Sequence, residues 1–293
     1  MPPSPNTAVR LQRVAVIGAG TMGTGIAHAF ATTGSQVLLV DPDPTQREAA
    51  VHRITALLES RVEKGKLSAD DAAKALSALT TTESIDTLPT GLDLAVESVP
   101  ERIDLKRQVL RVLEDTEPVV LASNTSSISI DSLAEGLTRP ERLIGMHFFN
   151  PVWSMRLVEI VVGSATASDV TDAVRSVVSA IGKEFIVVRD SPGFATSRLG
   201  VALGLEATRM LESGIASVED IDKAMVLGYG HPMGPLRLGD LVGLDIRLDV
   251  ARYLTSTLGE RFAPPALLET MVAEGHLGQK SGQGFYTWSN EGP

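Results

Sequence analysis

The stretch VAVIGAGTMGTG at residues 14–25 constrains the fold of this chain more than any other. It joins a short apolar run to the glycine string Gly18-x-Gly20-x-x-Gly23, and the string passes directly into GIAHAFATTG, which has helical spacing and closes at Gly34. QVLLVD follows as a second buried strand, so the segment reads as a β-α-β unit. In such a unit the first glycine permits a tight turn and the second lets backbone N–H groups approach a pyrophosphate. The third brings helix and strand into close contact, and the helix N-terminus faces the phosphates. Glycine-rich turns are common, so the string gains meaning from its context. Asp41 closes the next strand at the distance where a carboxylate accepts both ribose hydroxyls and repels a 2′-phosphate. The segment therefore points to NAD rather than NADP.

The rest of the chain extends this unit. Residues 44–80 favour helix and are interrupted at Lys64-Gly65, which predicts a helical hairpin inserted after the second strand. Strands follow at LDLAVES, VVLASN and RLIGMHFF, separated by helical stretches at 101–115 and 128–137. LVEIVVG and KEFIVVR then flank a helix at 168–181. Alternating β and α segments produce a mainly parallel, doubly wound sheet. After Asp190-Ser191-Pro192-Gly193 the pattern becomes helical at 194–213, 217–227, 236–257 and 265–274, with Ser217 and Asp220 spaced as a capping pair. The expected fold class is α/β: a Rossmann-type doubly wound sheet with an inserted helical hairpin over 1–190, followed by an all-α C-terminal domain over 191–293.

Composition narrows the partners. The 293 residues carry a formal charge of −10, which disfavours nucleic acid or an anionic membrane surface. Cysteine is absent, which removes disulfide and thiolate chemistry and fits a reducing cytoplasm. No run of eighteen apolar residues occurs, and the first residues lack the charged head and apolar segment of a signal peptide. About the first eight residues are expected to fray. No metal-ligand spacing appears, so no metal is expected. His28 and His52 read as packing or surface residues.

The chemistry concentrates at LIGMHFFNPV, residues 143–152. A histidine on an apolar strand is often only a core residue, but His147 lies just before Asn150-Pro151, where the strand must stop and where open α/β sheets bind ligands. Twelve residues on, Glu159 is a carboxylate inside the apolar strand MRLVEIVV, an expensive placement without a partner. An imidazole on a neighbouring strand would be that partner. A carboxylate accepting from one ring nitrogen fixes the tautomer and stabilises imidazolium, so the other nitrogen can take a proton from a hydroxyl. The polar turn SNTSS at 123–127 could cap a helix starting at Ile128 or face a ligand, and spacing does not separate Ser126 from Ser127.

The set GAGTMG, NTSS, HFFNPV with LVEIV, SPGF, GYGHPMGP and KSGQGFYTW resembles the L-3-hydroxyacyl-CoA dehydrogenase family, including its 3-hydroxybutyryl-CoA members, from about residue 13 to 288. The resemblance implies NAD as cofactor, an acyl-CoA substrate, reversible oxidation of the 3-hydroxyl and a homodimer formed through the C-terminal domain. It carries the catalytic histidine to His147, its glutamate to Glu159, the substrate-contacting serine to Ser126 and the asparagine to Asn150. It carries the cofactor contacts to Gly18, Gly20, Thr21, Met22, Gly23, Asp41, Glu101, Lys106 and Lys280. Lys64 corresponds to a basic residue that holds coenzyme A phosphates, although a solvated helix-end lysine explains it equally well. Ser197 stands where many members have asparagine; its hydroxyl can hydrogen-bond but reaches less far. Two other readings remain open at this point: oxidation of a related hydroxy acid or a carrier-protein-bound 3-hydroxyacyl group, and a catalytically silent, crystallin-like NAD-binding protein.

Overall fold

A computed structural model describes residues 11–288, so the fraying expected of the first eight residues lies outside the described residues. The chain divides into two compact units, one ending at Asp190 and the other beginning at Ser191. In the first unit, β1 (Arg13–Ile17), β2 (Gln36–Val40), β3 (Leu79–Thr82), β4 (Leu94–Glu97), β5 (Val120–Ser123), β6 (Leu143–Phe148), β7 (Leu157–Val162) and β8 (Glu184–Arg189) form one sheet. The strand order is β3-β2-β1-β4-β5-β6-β7-β8. Every neighbouring pair is parallel except β6 with β7. Six helices connect the strands: α1 (Thr21–Ala31), α2 (Pro44–Glu63), α3 (Ala69–Ser77), α4 (Ile103–Glu114), α5 (Ile130–Ala134) and α6 (Ser168–Ala180).

The central strands β4 and β5 are buried at every residue, as expected of parallel strands covered on both faces. Their apolar side chains, with those of β1, β6 and β7, pack against Ile26 and Phe30 of α1 and against Val174 and Val177 of α6. The order reverses between β1 and β4, and this switch point opens a crevice beyond the strands' carboxyl ends.

The second unit is helical, with α7 (Thr196–Glu212), α8 (Val218–Tyr229), α9 (Pro235–Val242), α10 (Leu244–Leu258) and α11 (Ala266–Ala273). Ser217 caps α8 by accepting from the Asp220 N–H at 3.1 Å. Two buried carboxylates organise the rest. Asp222 accepts from the Leu236 and Arg237 N–H groups at the start of α9 and from the Tyr286 hydroxyl. Asp240 accepts from the Phe285 and Tyr286 N–H groups and from Trp288 Nε1. The Gly-Pro-rich segment before α9 and the C-terminal GFYTW segment are therefore anchored by acids elsewhere in this unit. No described helix is long and apolar enough to cross a membrane.

Three elements differ from the sequence reading. Residues 79–82 form the edge strand β3, paired with β2, because LTTT is β-branched and finds an open edge; the helix-favouring run before it hid the change. The helix expected over 128–137 shrinks to α5, capped by Ser129. The helix expected over 236–257 is two helices, broken at Gly243, whose φ of 105° no helix accommodates.

His28 is 2% exposed in α1, and neither ring nitrogen has a hydrogen-bond partner. Burial, with smaller contributions from the Arg61 and Lys183 charges, lowers its pKa to about 4. The unfolded chain takes up this proton near pH 6.5 and the folded chain only near pH 4, so stability is lost as the pH falls through that window. By pH 5 the loss from this one residue should reach about 2 kcal/mol, using 1.36 kcal/mol per unit. In urea unfolding, His28→Leu should remove most of that difference between pH 7.5 and pH 5.

Candidate active site

The crevice widens into a cavity of about 1070 Å³ lined only by residues of the first unit. At its glycine end, Gly18 has φ 100°, and a Cβ there would come within 2.7 Å of the Ser98 carbonyl oxygen on the neighbouring chain crossing. A Cβ on Gly23 would overlap the Gly18 carbonyl. Gly18, Gly20, Thr21 and Met22 line the cavity, while Gly23 stands behind them at the helix-strand contact.

Asp41 lines the same cavity, and its two carboxylate oxygens also accept N–H groups from Ala19 at 2.8 Å and Asp43 at 2.9 Å. It therefore ties the glycine loop to the end of β2. Asp43, Glu83, Asp86 and Glu101 are further lining carboxylates, and among the described residues no lysine or arginine lines the cavity. A glycine cradle at a helix N-terminus beside an acidic ribose end fits NAD and opposes a 2′-phosphate. Gly18, Gly20, Thr21, Met22 and Asp41 are the residues that would hold it.

At the other end, the antiparallel register of β6 and β7 sets His147 directly opposite Glu159. Directly opposed residues share a face of the sheet, and His147 Nδ1 lies 3.0 Å from Glu159 Oε2. Glu159 is fully buried, whereas His147 is 7% exposed and lines the cavity. The Phe149 ring lies against the imidazole, 4.4 Å between centroids. Asn150 and Ser126 also reach the cavity wall.

Glu101 lines the wall beside them, and its Oε1 accepts from Thr125 Oγ1 at 2.6 Å and from the Ser126 and Ser127 N–H groups at 3.0 and 3.1 Å. Thr125 Oγ1 in turn accepts from the Ile128 N–H, so the threonine and not either serine caps this turn. Burial disfavours the Glu101 charge, but the Lys106 ammonium and these donors outweigh it and hold its carboxyl below the usual range.

Lys106 is fully buried and does not line the cavity. Its Nζ lies 2.8 Å from Glu97 Oε1 and 3.4 Å from Glu101 Oε2, and it donates to the Val99 and Asn124 carbonyls. Lys64 is exposed at the C-terminal end of α2, away from the lining residues. Ser197, in the first turn of α7, and Lys280, ion-paired with Asp245 at 2.6 Å, belong to the second unit.

Sequence reasoning passed over Glu97 and Asn124. Glu97 is fully buried at the end of β4 and accepts from Lys106, from Ser123 Oγ at 2.6 Å and from the Val99 N–H. Asn124 accepts from the Phe148 N–H at 3.0 Å and donates to Ser98, fastening the ends of β4 and β6 together. A carboxylate inside the apolar run LDLAVES carried the same signal that singled out Glu159. Burial raises the Glu97 pKa, and the lysine only partly opposes this. Lys106→Met would strand that carboxylate, with an expected loss of about 3–5 kcal/mol. An acid with a raised folded pKa loses stability as pH rises, so the deficit measured by urea unfolding should be larger at pH 8 than at pH 5.

Comparison with known proteins agrees with this geometry. Residues 13–191 match the model for the 3-hydroxyacyl-CoA dehydrogenase NAD binding domain, and residues 193–288 match the model for the C-terminal domain of the same family. A 3-hydroxybutyryl-CoA dehydrogenase of Mycobacterium tuberculosis is 42% identical over 285 residues, covering 95% of this chain and 99% of the relative. A 3-hydroxyadipyl-CoA dehydrogenase of Escherichia coli is 40% identical over 287 residues, and there the chain spans 60% of the relative's length. The crystal structure of (S)-3-hydroxybutyryl-CoA dehydrogenase PaaH1 from Ralstonia eutropha superposes with a TM-score of 0.92 at 40% identity, covering 96% of this chain and all of that one. The chain thus belongs to the 3-hydroxyacyl-CoA dehydrogenase family of NAD-dependent oxidoreductases.

Proposed function

We propose that the chain oxidises the C3 hydroxyl of a short L-3-hydroxyacyl-CoA to the 3-oxoacyl thioester, and runs the reverse reduction, with His147 as the proton carrier. The observation that carries this reading is the buried Glu159 carboxylate 3.0 Å from His147 Nδ1 at the wall of a cavity shaped for a dinucleotide. Bound NAD+ supplies the two-electron acceptor for the carbinol carbon. Glu159 accepts from Nδ1–H, fixes the tautomer and stabilises the imidazolium, so that Nε2 takes the hydroxyl proton. In reduction the protonated ring returns it. Ser126 and Asn150 order the substrate and the nicotinamide end, and the apolar ring of Phe149 helps to exclude water from the imidazole.

Residues 1–190 act in this reading as the NAD-binding domain, and 191–293 as the substrate and dimerisation domain of a cytoplasmic homodimer. The second unit leaves Leu199, Leu227, Tyr229 and Ile246 strongly exposed, which supports association through it. Lys64, Lys280 and Ser197 remain proposed contacts for coenzyme A, cofactor and substrate respectively. The names of the relatives favour a four-carbon or similarly short acyl group.

General acid–base catalysis contributes about 10²–10⁴-fold. With acetoacetyl-CoA and NADH followed at the NADH absorbance, His147→Gln should lose turnover by about that factor while NADH binding persists. Full turnover in that variant would refute the assignment. Rates compared on C4, C8 and C16 substrates should fall with chain length; a maximum at C16 would overturn the short-chain reading.

A further inference from the structure

The connection between β6 and β7, residues 149–156, is longer than the roughly 2–5 residues that usually join antiparallel strands, and its internal hydrogen bonds, from the Ser154 and Met155 N–H groups and the Ser154 hydroxyl, all converge on the Pro151 carbonyl. It carries Asn150 to the cavity wall and sets the register in which Glu159 meets His147. Two contacts from outside the connection fix it. The Val152 side chain is 1% exposed and fills a notch in α1 that exists because residue 25 is glycine; a Cβ there would lie 2.7 Å from Val152 Cβ. Lys183, just before β8, reaches back with its ammonium as the second contact. Its Nζ donates to the Val152 carbonyl at 2.6 Å and to the Met155 carbonyl at 2.7 Å. The next residue continues the grip, since the Glu184 N–H donates to the Arg156 carbonyl at 2.8 Å and its carboxylate pairs with the Arg156 guanidinium.

We propose that Lys183 is a positioning residue for the reaction: by clamping two carbonyls of the 149–156 connection against the Gly25 notch, it holds Asn150 and the His147–Glu159 pair in their working geometry. The inference rests on the proposed roles of His147 and Asn150. Lys183 is not among the residues lining the cavity, so it acts through the backbone it holds. A charge-assisted donor to a carbonyl is stronger than a neutral one, and one ammonium satisfying two carbonyls removes two ways for the turn to open. Displacing a reacting group by about 1 Å can lower a rate about 10²-fold, so loosening this turn should appear in turnover before it appears in cofactor affinity.

The test uses the full chain with Lys183→Met, Lys183→Gln, Lys183→Arg and Gly25→Ala. NADH-binding sites are titrated by fluorescence, and turnover with acetoacetyl-CoA is expressed per binding site, so that misfolded protein does not count. The Met and Gln variants should lose about tenfold or more in kcat with the NADH dissociation constant unchanged. The Arg variant keeps the positive charge and several N–H donors and should recover part of the loss. Gly25→Ala presses on the same connection through Val152 and should reproduce the kcat defect with NADH affinity retained. Wild-type kcat per site in the Met and Gln variants overturns the inference, as does an Arg variant as slow as Met. If the unsubstituted chain itself does not oxidise NADH with acetoacetyl-CoA, the reading of the site fails and takes this inference with it, an outcome distinct from fast variants of an active enzyme.

Discussion

A single reversal of strand direction, between β6 and β7, brings His147 and Glu159 together. Six of the seven neighbouring strand pairs are parallel, and β7 and β8 together run against the other six strands. Running β7 antiparallel to β6 sets His147 squarely against Glu159, on one face and in register. The acid is then sealed under the sheet while the imidazole reaches the cavity edge. A carboxylate so enclosed is tolerable only with a donor beside it, so the contact with His147 also helps to make the strand's sequence compatible with burial.

A second charge group, with Glu97 and Lys106 fully buried and Glu101 at the cavity wall, works by the same physics toward a different end. Glu97, Lys106 and Glu101 join the ends of β4 and β5 to the start of α4, and through Asn124 and Thr125 they shape both the chain beside His147 and the turn bearing Ser126. Each of the three meets another charge or a directed dipole inside the fold. Fully paired networks of this kind specify one arrangement of a polar rim that backbone hydrogen bonds alone would leave loose. Asp222 and Asp240 do the equivalent in the helical unit, collecting backbone donors from the glycine- and aromatic-rich segments before α9 and at the C-terminus.

The alternation of β and α, the glycine cradle and the terminal Asp41 could be read from the sequence because each is a local pattern: period, composition and short spacing survive without three-dimensional context. His147 and Glu159 were legible for a related reason, since a titratable group in an apolar run is costly wherever it folds. The same signal at Glu97 was overlooked because its partner, Lys106, sits on a helix where lysine is ordinary and its burial is invisible. Strand β3 escaped because LTTT follows a run of good helix formers with no glycine or proline to mark the change, and its identity depends on the open edge of β2. Gly243 divided a helix whose apolar spacing continues on both sides.

The sequence by itself determined the doubly wound unit, its dinucleotide crevice and the residue types available for proton transfer, because those follow from interactions within a few dozen residues. Only the tertiary structure decided which strands are neighbours, that β7 reverses, that Lys106 faces inward to two acids and that Lys183 grips a turn some thirty residues earlier in the chain. Such contacts join segments far apart in the chain, and their favourable energy exists only once the sheet has brought those segments together. No local pattern can encode them.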